Sequence, residues 1–354
     1  MELTPLLQTI GPADQEARLR AKAQWAAVAK PLGGLGLLET AIEDIAALTG
    51  DHRVDLSRRT LLVLCADNGV TAQGVTQAPS SVTTLVAQNL ASGTACVSRM
   101  AACANCQVVP VDMGILDFEG MEGVLDRRLG NGTQDISQGP AMSREDAISA
   151  IRIGMDLVRE QAERGCTLLA TGEVGIGNTT TSAAVTCALL GRSPAELSGR
   201  GAGLSDEGLV KKQKTIAQAL ALNRPDPADP VDVLAKVGGF DLAGLCGVFL
   251  GAALCKIPVL IDGIISSAAA LCAVRLCPNA EKAILASHLS AEPAGIALLD
   301  TLGKKPLITA GLRLGEGTGA VAAIPLLDMA LAVYQEAATF ADCGLAPYVP
   351  QGGQ

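Results

Sequence analysis

Aromatic side chains are scarce. Trp25, four Phe and two Tyr are all there are in 354 residues, which leaves few platforms on which nucleobases could stack. Histidine is scarcer still, with only His52 and His288. A zinc site built on the one CxxC pair, Cys103-Ala-Asn-Cys106, would need a second such pair or nearby imidazoles, so no metal is expected. Basic charge is in deficit: 27 Lys and Arg against 36 Asp and Glu give a net charge of −9. An acidic chain without a basic cluster repels phosphate backbones, which excludes nucleic acid as a partner. Long apolar runs are missing too. The longest uncharged one begins at Leu242 and stops at Cys255, before Lys256 and Pro258, short of the roughly 20 residues of a membrane span. Charged residues Glu2, Asp14, Glu16, Arg18 and Arg20 break up any signal-peptide apolar core. The expectation is a cytoplasmic chain with no membrane partner. Its 11 cysteines, mostly inside apolar runs, are expected to be reduced and to pack as small hydrophobes.

Glycine is plentiful, at 39 residues, and its placement is informative. The first 60 residues read as helices, 13–29 and then Leu37 to Leu48. From there short apolar runs recur at 61–65, 108–111, 167–170 and 259–261, with a weaker one at 283–286. None alternates, as fits strands buried on both faces of a parallel sheet. Between them lie helix signals. Ser143-Arg-Glu-Asp146 resembles a capping box opening 143–164, Gly191 closes 179–190, and Ser205 opens another helix. The pattern predicts an α/β fold: an open, mostly parallel Rossmann-like sheet flanked by helices. A small helical subdomain is expected from segments 1–59 and 318–354, around an α/β domain over 60–317, with the Pro- and Asp-rich stretch 223–230 as a linker.

In such sheets the ligand lies beyond the carboxyl ends of the strands. The residues that follow the runs are Asp67, Asp112, Glu173, Asp262, and His288 with Ser290. The turn Gly172-Glu-Val-Gly175-Ile-Gly177-Asn178-Thr179 leads into a helix, where freed backbone N–H groups can form an anion pocket. It lacks the GK[ST] of a Walker A loop and the GxGxxG of a dinucleotide site, so a single phosphate is its natural guest. A plain Gly-rich connection with Thr caps fits the turn equally well. Glu316, between Gly315 and Gly317, is either a helix N-terminal acid or a positioned general base.

Six motifs then occur in order: Ala66-Asp67-x-Gly69-Val70; Gly172-Glu173 with Gly177-Asn178-Thr179-Thr180; Val237-Gly-Gly-Phe-Asp241-Leu; Leu260-Ile-Asp262-Gly263; Ser287-His288-x-Ser290-Ala-Glu292; and Arg313-Leu314-Gly315-Glu316-Gly317-x-Gly319. Together they closely resemble the nicotinate-nucleotide:dimethylbenzimidazole phosphoribosyltransferase family, over essentially the whole chain. The resemblance implies transfer of phosphoribose from nicotinate mononucleotide to the lower-ligand base of a cobamide, with inversion at C1′. It implies Glu316 as general base and Glu173 as a second active-site carboxylate. Gly175, Ile176, Gly177, Asn178 and Thr179 would hold the 5′-phosphate, with Lys212 and Ser290 as further nucleotide contacts. Asp262, Gly263, Leu314 and Gly315 would complete the substrate site. No organic cofactor is implied, and the working unit would be a homodimer or a heterodimer with a paralogue.

Two departures stand out. Asn68 replaces the family's His, and the segment expected to line the base pocket, Pro79, Ser80, Ser81 and Leu85, lacks an acid and a Gln. A lost polar contact changes which acceptor a pocket prefers. Two alternatives are therefore a phenol- or p-cresol-directed subunit of a heteromeric enzyme and a catalytically weak paralogue kept as a structural partner.

Overall fold

The strand runs assemble into one sheet in a computed structural model that describes residues 3–349. In chain order they are β1 (Arg59–Ala66), β2 (Cys106–Gly114), β3 (Leu125–Asp126), β4 (Leu168–Val174), β5 (Val259–Ile261) and β6 (Ile284–Ala286). All pairings are parallel, and the spatial order is β3-β2-β1-β4-β5-β6. Successive side chains of β1 point to opposite faces. Leu62 and Leu64 join one apolar cluster, while Leu61, Val63 and Cys65 join the other. Helices cover both faces, which is why the runs show no polar alternation.

The apolar runs mark the strand centres but not their ends. Backbone pairing carries β4 on through Leu64↔Glu173 and Cys65↔Val174, so Glu173 lies inside a strand rather than in the turn after it. β2 likewise continues through Asp112 to Gly114. β3 has two residues and too little apolar pattern to be read from sequence. The segment 223–230 is a turn, not a domain linker. It joins helices Asp206–Asn223 and Pro230–Val237, and both bury residues (Ile216 and Ala219, Val231 and Val233) in the same cluster.

Local signals behave as their chemistry requires. The Ser143 hydroxyl accepts from the Asp146 N–H at 3.0 Å to open helix Arg144–Glu163. Gly191 takes the left-handed conformation (φ 65°) that ends helix Asn178–Leu190. The long apolar run is the core helix Phe240–Cys255, buried along nearly its whole length. It lies so close to helix Arg144–Glu163 that a Cβ on Gly154 would strike the Gly244 carbonyl, and one on Gly247 the Ile151 carbonyl. Helix Thr318–Glu336 is the one described helix long and apolar enough to cross a membrane, and half of its apolar window is inside the protein. It packs on the N-terminal helices through Trp25 and Tyr334, whose ring centroids are 4.9 Å apart. The Tyr334 hydroxyl also donates to the His52 carbonyl at 2.8 Å.

The sheet order reverses between β1 and β4. A crevice opens at the carboxyl ends of strands at such a switch point.

Candidate active site

The crevice at that point is walled by the end of β4 and its turn, by the β5 and β6 ends, and by the loop before helix Thr318–Glu336. Of the residues expected there, Glu173, Gly175, Ile176, Gly177, Asn178, Thr179, Asp262, Gly263, Ser290, Leu314, Gly315 and Glu316 all line it. Val82 and Val86, four apart on one face of helix Ser81–Ala91, form an apolar wall, and Arg200, His288, Glu292 and Arg313 also face the space.

Glu316 is held by an unusual backbone. Gly315 (φ 88°), Glu316 (φ 62°) and Gly317 (φ 93°) are three successive left-handed residues. A non-glycine residue there costs about 1–2 kcal/mol, and the loop fixes the carboxylate at the cleft edge. Glu316 Oε2 accepts from the Val97 N–H at 3.2 Å. Half-buried, Glu316 has a pKa pushed up first by burial and then by the Asp262 charge, which moves it toward the range of a working base. The loop is pressed onto β4: a Cβ on Gly172 would strike the Glu316 carbonyl oxygen.

Glu173 is buried, and its pKa is raised well above the usual carboxylate range, first by burial and then by repulsion from Asp241 and Asp262. The Asn178 amide bridges two carboxylates, donating to Glu173 and, at 3.0 Å, to Asp241 Oδ2. Asn178 therefore spends its amide on orienting Glu173, and its backbone N–H donates to the Gly175 carbonyl at 3.0 Å, so Asn178 itself offers no donor to an anion. Asp241, fully buried, has a pKa raised to about 6 by its own burial.

Lys212 does not line the cleft. Its Nζ lies behind the wall, donating to Thr179 Oγ1 at 2.9 Å and to the Gly199 carbonyl at 3.1 Å. Burial lowers its pKa to about 8. It supports the Gly175–Thr179 turn with positive charge from below, at the N-terminus of helix Asn178–Leu190. There the N–H groups of Asn178, Thr180 and Thr181 bond back to the turn carbonyls, and the helix dipole adds to that charge. Asp262 reaches the wall, but its carboxylate is fully engaged: it accepts from the N–H groups of Gly317 (3.2 Å), Gly319 (2.8 Å) and Ala320 (3.2 Å). It caps the helix that follows Glu316 and thereby anchors the Glu316 loop.

The remaining expectations fall elsewhere. Pro79, Ser80, Ser81 and Leu85 are off the wall. Leu85 is 56% exposed, because the helix turns Val82 and Val86 inward instead. Asn68 is also outside the cleft, buried, and accepts from the Thr181 hydroxyl at 3.2 Å. Asp67 and Asp112 reach the same sheet edge but stay behind it. Asp112 accepts from Gly114 and Ile115 N–H, each at 2.8 Å, and pairs with Arg128 at 3.1 Å. The role of Asp241 was not legible, since nothing in the sequence says that an acid opening a buried helix reaches Asn178. The i, i+4 pair Val82 and Val86 was the available signal for the apolar wall.

The chain is similar to known proteins over nearly its whole length. A phosphoribosyltransferase family model matches residues 10–345. The nicotinate-nucleotide–dimethylbenzimidazole phosphoribosyltransferase of Acetivibrio thermocellus is 43% identical over 345 residues, 98% of each chain. The protein of that name from Ruminiclostridium cellulolyticum is 44% identical over 321 residues, 91% of each chain. A crystal structure of CobT from Thermus thermophilus superposes with a TM-score of 0.89 at 39% identity, covering 94% of this chain and 99% of that one. Motifs, fold and relatives converge: the chain belongs to the nicotinate-nucleotide:dimethylbenzimidazole phosphoribosyltransferase family.

Proposed function

We propose that the chain transfers the phosphoribosyl group of nicotinate mononucleotide to a ring nitrogen of 5,6-dimethylbenzimidazole or a close relative, in cobamide synthesis. The observation that carries this reading is the placement of Glu316. Its carboxylate is held by three left-handed residues at the edge of a cleft whose far wall is the phosphate-type turn Gly175–Thr179. A base nitrogen attacks C1′ from the face opposite nicotinate. The C1′–N bond breaks with its electron pair returning to the pyridine nitrogen, and the incoming base gives its N–H proton to Glu316. Attack opposite the leaving group inverts the anomeric centre, giving the α-riboside 5′-phosphate and nicotinate.

Glu173 suits the donor's charge. In the free protein, burial and neighbouring carboxylates drive it toward its neutral form. The cationic pyridinium ring of the donor favours the ionised form, and that charge then opposes the positive charge developing on the ribosyl ring. Lys212, under Thr179, and the positive end of the helix Asn178–Leu190 dipole serve the 5′-phosphate.

The acceptor side supports an apolar aromatic base. Val82, Val86, Val75, Ile265 and Leu314 face the cleft, whereas Asn68, Ser80, Ser81 and Leu85, the residues that raised a phenol acceptor, do not. Nicotinate release from nicotinate mononucleotide, measured with dimethylbenzimidazole, benzimidazole, adenine, phenol and p-cresol in turn, tests the reading. Benzimidazoles are expected to be turned over best. A preference for phenols, or no release with any acceptor, contradicts it. The reading includes a dimer, to be read by sedimentation, with Leu85 as an exposed apolar side chain on the outer face of the cleft helix. It also includes a cytoplasmic setting, which the eleven free cysteines suit.

A further inference from the structure

Two walls of the cleft belong to different layers of the fold. The acceptor side is helix Ser81–Ala91, through Val82 and Val86, and the donor side is the Gly175–Gly177 turn after β4. Between them stands one fully buried hydroxyl, that of Thr83. Thr83 Oγ1 donates its proton to Asp67 Oδ1 at 2.6 Å and accepts from the Ile176 N–H at 3.1 Å. The other oxygen, Asp67 Oδ2, accepts from the Leu116 N–H at 2.9 Å. Among the described residues, the bond from Ile176 is the only hydrogen bond joining that helix to that turn.

We propose that Thr83 is a positioning residue for the transfer: its hydroxyl sets the acceptor wall in register with the donor turn. The proposal deepens, and rests on, the reaction proposed above. A hydroxyl has one proton, and Asp67 takes it, so its lone pairs face Ile176 and the direction of both bonds is fixed. Asp67 is itself fastened to β1 and to the loop after β2, which makes the hydroxyl a fixed point of the sheet edge rather than a freely rotating group. Transfer needs the acceptor nitrogen and C1′ in near-attack geometry, and misplacement by about 1 Å can cost 10²-fold in rate. The hydroxyl acts on that separation through Ile176 on one side and Val82 and Val86 on the other. Thr83 itself does not line the cleft.

Thr83→Val keeps the shape and removes the hydroxyl, and Thr83→Ser keeps the hydroxyl and removes the methyl. Both are made in the full chain and assayed well below their Tm values. For Thr83→Val, kcat with dimethylbenzimidazole is expected to fall about 10- to 100-fold while the Kd for nicotinate mononucleotide stays within about threefold, and Thr83→Ser restores kcat. Hydrogen exchange at the Ile176 amide reads the link without any turnover: it speeds up in Thr83→Val and stays slow in Thr83→Ser. A folded Thr83→Val with near-normal kcat, or one whose Ile176 amide stays as protected as in the parent, overturns the proposal. So does a Thr83→Ser that fails as Thr83→Val does. Absence of turnover in the parent chain would count against the proposed reaction instead, and the exchange measurement would still decide the role of Thr83.

Discussion

Asp241→Asn separates the electrostatics of the buried cluster from its packing. Asp241 is fully buried and shares the Asn178 amide with Glu173, and its pKa rises from 3.8 to about 6 because ionising it there is unfavourable. In the unfolded chain the carboxyl returns to its ordinary value. The folded form therefore holds its proton to higher pH, and the resulting stabilisation is present at low pH and lost as pH rises through about 6. At about 1.4 kcal/mol per unit, the full effect is about 3 kcal/mol, of which about 1.4 kcal/mol is lost between pH 5 and pH 8. With an unfolding entropy of about 2 cal/mol/K per residue, that is a fall of about 2 °C in Tm over this interval from Asp241 alone. Asn cannot titrate, so the variant lacks this fall. It also eases Glu173, for which Asp241 is the largest repelling neighbour, and this enlarges the difference. The assay is thermal unfolding of both proteins from pH 5 to pH 8, comparing slopes rather than absolute Tm, because the amide also replaces one acceptor oxygen by a donor. Parallel slopes would refute the argument that burial holds Asp241 protonated.

Three further outcomes follow from the cleft geometry. Lys212→Met removes the buried cation under Thr179, so the Kd for nicotinate mononucleotide is expected to rise about tenfold or more. In the parent, kcat/KM for the donor should decline as pH rises through about 8, where free Lys212 loses its proton, and a flat profile there contradicts its role. Gly172→Ala places a methyl against the Glu316 carbonyl, and the displaced loop is expected to lower kcat by about 10²-fold while the protein stays folded. An active Gly172→Ala enzyme would show that the Glu316 loop is not held by β4.

Much of this architecture was legible because its signals are local. Unalternating apolar runs marked the centres of β1, β2, β4 and β5, and Ser143 and Gly191 marked helix ends by their own backbone chemistry. What escaped depended on partners distant in sequence. β4 extends to Val174 because β1 pairs with it, which placed Glu173 in a strand. Asp262 read as a ligand residue, yet its oxygens cap a helix more than fifty residues further on. Asn178 read as a phosphate contact, and its amide instead joins Glu173 to Asp241. On helix Ser81–Ala91, the departures at Ser80, Ser81 and Leu85 drew attention to the wrong face, since which side of a helix meets a cleft is settled by packing. The flanking glycines singled out Glu316 as a helix N-terminal acid or a positioned base, but the left-handed run from Gly315 through Gly317 was seen only in the folded chain.

The proposed reaction stands on Glu316 as the group that accepts the N–H proton of the incoming base. The direct measurement is nicotinate release from nicotinate mononucleotide and dimethylbenzimidazole by the parent chain and by Glu316→Gln, with donor Kd measured alongside. Glu316→Gln is expected to lose about 10²–10⁴ in kcat with donor binding nearly unchanged. A Glu316→Gln protein that releases nicotinate at the parent rate would contradict it.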